Sequence, residues 1–184
     1  IKMKGWNRGM EWQDTELSWI RTSPNIPRSE SCHYYLASCL AQHVPGIFAG
    51  TGTSKPFQFV VAKGINDQRL SLKLNEYKMR GIRFFPYIDE KESSRKGVSL
   101  ELDLDQRPDL MLISMVMLKA FYNEGKNLGL DFIEEASKSG LNLLYKIYGS
   151  NSLSRDLNSP MSAHQIVSKW GSSNKHFKET RSKY

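Results

Sequence analysis

"GVSLELDLD", residues 97–105, decides the fold: Val98, Leu100, Leu102 and Leu104 alternate with polar neighbours. A period of two suits a strand with one buried and one wet face. Directly downstream, "RPDLMLISMVMLKAFYNE" (107–124) changes character. Pro108 occupies a favourable first-turn position, and the long apolar run behind it predicts a helix covering one face of the sheet that holds the strand. Its methionines read as core filling.

Working upstream, "IRFFPYID" (82–89) is a second strand, with "EKESSRK" (90–96) as the loop between. "NDQRLSLKLNEYKMRG" (66–81) is an amphipathic helix capped by Asn66 or Asp67 and stopped by Gly81. "FQFVVAKG" (57–64) is a short buried strand, preceded by the Gly and Thr turns of "PGIFAGTGTSKP" (45–56). "RSESCHYYLASCLAQHV" (28–44) has apolar residues at helical spacing, Ser29 or Ser31 as N-cap, and an end at Pro45 and Gly46. Downstream, the tail from Phe132 reads as short helices punctuated by Gly140, Gly149, Pro160 and Gly171. Among them "SAHQIVSKW" (162–170) is capped by Ser162, and a last helix runs toward Tyr184. The expected fold is α/β or α+β: one domain over residues 1–184, a small mixed sheet flanked by helices, and a helical C-terminal end.

The chain has 184 residues, 39% hydrophobic, spread along its whole length, which describes a globular domain and excludes bulk disorder. The longest apolar stretch, "LMLISMVMLKAFY", is interrupted by Lys119 and is too short to span a bilayer. A formal charge of +7 implies attraction to anionic surfaces, for which nucleic acid, acidic phospholipid and bacterial cell wall all qualify. The mild basic concentration in "KWGSSNKHFKETRSKY" (169–184) reads as a solvated helix face, so charge alone makes a weak case for nucleic acid.

Cys32 and Cys39, seven residues apart, and the four histidines, His33, His43, His164 and His176, show neither disulfide nor zinc spacing. "AGTGTSKP" lacks the pattern of a phosphate-binding loop, and Ser38 is not on a nucleophile elbow. No cofactor or metal is implied. What remains is a set of aromatic and turn residues: Trp6, Trp12, Trp19, Asn25 and the loop Gly50–Thr53, including Thr51 and Gly52. Such mixtures suit sugars, whose C–H faces stack on rings and whose hydroxyls pair with polar groups; equally, the tryptophans could be core and the loop a tight turn. In "TSPNIP" (22–27) Pro24 and Pro27 stiffen a corner around Asn25. Its carboxamide could face a ligand or close an Asx turn.

In order, "MKGWNRGMEWQDTELSWIRTSPNIP", "AGTGTSKPFQFV", "GIRFFPY" and "GSNSLSRDLNSPMSAHQIVSKWGSSNKHFKETRSKY" resemble the C-terminal half of the bacterial exo-β-N-acetylmuramidase family. The resemblance covers essentially the whole chain. It implies a peptidoglycan glycosidase releasing N-acetylmuramic acid from non-reducing ends of cell-wall fragments, in the periplasm or secreted. It also implies a Rossmann-like N-terminal half, fused or separate, as partner, with peptidoglycan fragments or an amino sugar as ligand. Trp19, Asn25, Gln42, Gly50, Thr51, Gly52 and Thr53 are the implied substrate-binding positions. Gln42 falls where the family has a glutamate, and Thr51 where it has an arginine. A glutamine neither protonates a leaving group nor attacks as a carboxylate, and losing the arginine removes a bidentate partner for the lactyl carboxylate. The alternative is therefore a non-catalytic peptidoglycan- or sugar-binding module.

Overall fold

In the computed structural model, which describes residues 4–129 and 143–182, four strands form one sheet in the order β1-β2-β4-β3. They are β1 (Ile47–Phe48), β2 (Phe59–Lys63), β3 (Ile82–Ile88) and β4 (Arg95–Leu102). The small sheet and the helical C-terminal end are as expected, but every strand pair is antiparallel, so the arrangement is α+β without mixed strand directions. The reason is the short connection after Ile88, which reverses the chain, so that β4 inserts between β2 and β3. Seven helices are described: α1 (Ser31–Gln42), α2 (Asp67–Glu76), α3 (Leu110–Asn127), α4 (Leu143–Tyr148), α5 (Leu153–Asn158), α6 (Ala163–Ser168) and α7 (Gly171–Arg181). The helical reading from Phe132 to Gly140 lies outside the described residues.

Asn66 and Ser162 cap as their sequences predict, each accepting a backbone N–H three residues on. Other boundaries differ. Helix α1 has Glu30 at its N-cap with no side-chain bond, and Ser31, its first residue, keeps a buried hydroxyl without a partner among the described residues. Helix α3 begins after Pro108, with Asp109 as the capping acceptor for Leu112 N–H. Helix α2 stops at Glu76; Gly81 instead stands at the entrance to β3, at φ +71°, where a Cβ would lie 2.8 Å from the Asp103 carbonyl oxygen. The alternation in β4 ends at Leu102, and Leu104 starts a single 3₁₀ turn, Leu104–Gln106.

Helices α1 and α2 lie on the sheet, and α3 packs on α1, α2 and α6 instead of covering the sheet itself. That position explains its composition, since a helix enclosed by other helices is apolar nearly all round. Phe121, Leu118, Met117 and Met115 are fully enclosed there. Ser114, Lys119 and Glu124 are its buried polar residues; the Ser114 hydroxyl accepts the Leu40 N–H at 3.1 Å and so locks α3 to α1. Lys73 and Arg69 of α2 both pair with the buried Glu124 of α3, the Lys73 contact at 2.7 Å. Edge strand β3 is protected in two ways. The Asn75 carboxamide bonds both the N–H (3.0 Å) and the carbonyl (2.7 Å) of Phe84, and Pro86, of the same parity, offers no N–H.

Candidate functional site

The Pro corner is rigid because it is bonded from several sides. Ile26 N–H donates to the Ser23 carbonyl at 3.0 Å, closing a turn, and the Arg21 guanidinium donates to the Pro24 carbonyl at 2.8 Å. Trp19 donates its indole N–H to the Ile26 carbonyl at 3.3 Å and meets Trp12 edge to face at 5.1 Å. Trp19 is thus a brace for the corner, half-buried. Asn25 projects across to the Gly-Thr loop, where its Oδ1 accepts the Gly52 N–H at 2.8 Å. Two segments 27 residues apart in sequence become one unit through that bond.

The loop itself is wound tightly. The Gly50 carbonyl accepts both the N–H (3.1 Å) and the hydroxyl (2.7 Å) of Thr53, whose oxygen in turn accepts the Lys55 N–H at 3.1 Å. Gly50 and Gly52 have φ of +70° and +74°, the left-handed region that disfavours a Cβ. Gly50 has a second reason to be glycine: a Cβ would lie 2.7 Å from the Lys55 carbonyl oxygen and 2.9 Å from the Phe59 ring. Thr51 is half-buried beside them.

Under the loop lies the sheet face turned away from the main core. Phe59 and Tyr87 stack there at 4.5 Å, Phe48 meets Phe59 edge-on at 5.9 Å, and the Arg95 guanidinium lies 4.5 Å from the Phe48 ring. Between loop and rings is a cavity of about 170 Å³ whose lining includes Gly52, Thr53, Lys55, Phe59, Tyr87 and Asp89. Asp89 is buried but spent: Arg95 pairs with one oxygen at 2.6 Å and the Lys91 N–H donates to the other at 3.1 Å. Burial, then the charges of Glu90 and Asp89, push the Tyr87 phenol above its ordinary pKa, so it stays a neutral hydroxyl.

Gln42, the last residue of α1, joins none of these contacts. Its Oε1 is buried without a hydrogen-bond partner among the described residues, as is Nε2 of the adjacent His43, whose pKa burial lowers. Asn25, Gly52 and Thr53 are therefore brought together, with Trp19 and Gly50 supporting them, and Gln42 makes no hydrogen bond to any of them. Phe59, Tyr87, Asp89 and Arg95, which line or border the hollow, were passed over in the sequence as strand and loop; the aromatic residues of opposite parity in β2 and β3 were the available signal. Among the described residues no group of His, Cys, Asp and Glu could hold a metal ion.

Asn25→Ala removes one bond whose donor, Gly52 N–H, is exposed and can turn to water. The expected loss is about 1 kcal/mol of stability, read from chemical denaturation, with the circular dichroism spectrum unchanged.

The fold and this hollow define an α+β domain in which a polar loop closes over an aromatic patch on one face of an antiparallel sheet. The family described as "Exo-beta-N-acetylmuramidase NamZ, C-terminal" matches residues 33–184, and the chain belongs to it. A relative, "Peptidoglycan beta-N-acetylmuramidase NamZ" of Bacillus subtilis (strain 168), is 38% identical over 84 residues, 46% of this chain and 20% of that protein. The crystal structure of a DUF1343 family protein from Bacteroides fragilis superposes with a TM-score of 0.85 at 23% identity, which supports the fold. It covers 100% of this chain, which spans 49% of that one. No described helix is long and apolar enough to cross a membrane.

Proposed function

We propose that this chain is the C-terminal domain of a two-domain peptidoglycan glycosidase acting outside the cytoplasmic membrane. Together with a Rossmann-like N-terminal half, fused or separate, it releases N-acetylmuramic acid from the non-reducing ends of cell-wall fragments. Family membership supports the class of enzyme. The observation that carries the role of this half is the Asn25–Gly52 bond, which turns the Pro corner and the Gly-Thr loop into one rim above the Phe59–Tyr87 stack. Such a rim suits a pyranose: Phe59, itself buried, backs the half-exposed Tyr87 ring, which can take a C–H face, and the Tyr87 hydroxyl and the Asn25 amide hydrogens can serve ring hydroxyls or an acetamide. In this reading the N-terminal half supplies the general acid, because Gln42 is neutral and Asp89 is bound by Arg95.

The same two residues favour a second reading, a module that binds peptidoglycan without cleaving it. The protein carrying both halves, incubated with a chromogenic N-acetylmuramic acid glycoside, separates them. Release of the chromophore supports the glycosidase. Saturable binding without release supports the module.

A further inference from the structure

A cleft separate from the aromatic hollow opens where the end of α2, the turn entering α3 and the start of α6 meet. It holds about 430 Å³. Its floor is apolar, from Met79, Leu112 and Ile113, and its walls carry Lys78, Arg80 and Arg107. None of these cations has an ion-pair partner among the described residues. The one carboxylate lining the cleft, Asp109, is occupied as the cap of α3, accepting the Leu112 N–H at 3.0 Å. The backbone commits itself to this arrangement. Lys78 and Arg107 both adopt left-handed φ, +47° and +50°, which costs a side-chain-bearing residue energy. Arg80 is tethered through Nε to the Gln106 carbonyl, leaving the terminal nitrogens of its guanidinium for another acceptor. Tyr77, 40% exposed, stacks on His164 at 6.0 Å and closes the rim. The adjoining cavity shares Lys78 and Arg80 and also carries Arg83, Glu101, Asp103 and Asp105, but none of these carboxylates is in ion-pair contact with Lys78, Arg80 or Arg107 among the described residues.

We propose that this cleft is a second binding site, for a small ligand that joins an anionic oxygen group, carboxylate or phosphate, to an apolar body. Three convergent cations without carboxylate partners would hold the anion, and Met79, Leu112 and Ile113 would cover the body.

The test uses the full chain, ¹⁵N-labelled, titrated with phenyl phosphate, benzoate and the uncharged benzyl alcohol. The expected result is saturable movement of the Lys78, Arg80, Arg107 and Leu112 amides with at least one anion and little with benzyl alcohol. Whichever anion binds more tightly identifies the source of the charge. Arg80→Gln and Arg107→Asn, the latter chosen because asparagine tolerates left-handed φ, should each weaken that binding about tenfold. Arg80 is exposed, so its variant keeps the test readable if Arg107→Asn unfolds. Absence of saturable movement at these amides, equal response to benzyl alcohol, or Arg80→Gln binding as tightly as wild type would overturn the proposal.

Discussion

Replacing Asp156 with alanine is expected to lower the unfolding free energy by about 2–4 kcal/mol. Asp156 lies on α5 with 2% of its surface exposed, and its carboxylate organises the C-terminal helices. One oxygen accepts Lys169 Nζ at 2.6 Å; the other accepts the Ser152 hydroxyl at 2.7 Å and the Tyr148 phenol at 2.9 Å. Alanine would strand both hydroxyls in a poorly hydrated place, whereas Lys169, half exposed, could turn to water. The same segment is anchored to the core by Lys119, whose Nζ donates to the carbonyls of Leu157 at 3.1 Å and Ser159 at 2.9 Å, at the end of α5. The pH dependence follows. Burial alone would raise the Asp156 pKa, but the hydrogen bonds from Lys169, Ser152 and Tyr148 outweigh it and hold the carboxyl below its ordinary value of 3.8. A group whose folded pKa is depressed stabilises the fold above its unfolded pKa and loses that contribution as pH falls through the folded value. The stability gap between wild type and Asp156→Ala should therefore be constant from neutral pH down to about pH 5 and narrow below about pH 4, in urea titrations across that range.

Gly97→Ala is expected to cost about 3 kcal/mol or more, or to prevent folding. Gly97 pairs with Val61 on one side and Tyr87 on the other, in the middle of the sheet. A Cβ there would lie 2.2 Å from the Val60 carbonyl oxygen and 2.9 Å from the Val61 Cα. Both are backbone atoms of a central strand, so relief requires spreading β2 from β4, directly beneath the Phe59–Tyr87 stack. Gly52→Ala is the control. Its Cβ would meet nothing within 4 Å, leaving only the cost of left-handed φ, about 1–2 kcal/mol. Denaturant midpoints for the two variants should differ accordingly. Equal midpoints would mean that the strands part without resistance.

Val98 and Leu100 alternate with polar residues because one face of β4 meets α2 and the other does not, so period two is readable directly. Asn66 and Ser162 are readable because a cap is local chemistry. Ile47 and Phe48 are too few to show any period, and their strand exists only because β2 is there to pair with. The Pro corner and the Gly-Thr loop are each visible as turns, but the Asn25–Gly52 bond depends on tertiary placement that no local rule supplies. Lys119 was visible as an interruption in the longest apolar run; a charge at such a place implies a buried partner, and the end of α5 is that partner. The all-round apolarity of α3 signalled enclosure among helices more than contact with a sheet.

The most direct test of the functional account is kcat/KM for a chromogenic N-acetylmuramic acid glycoside in the protein carrying both halves, measured with and without Asn25→Ala. If the corner and the loop form a substrate rim, kcat/KM should fall about tenfold or more while the fold stays intact, because a ligand donor and the loop position are lost together. An unchanged kcat/KM, with only a small drop in melting temperature, would show that the Asn25–Gly52 bond is a structural tie and that the sugar is bound elsewhere.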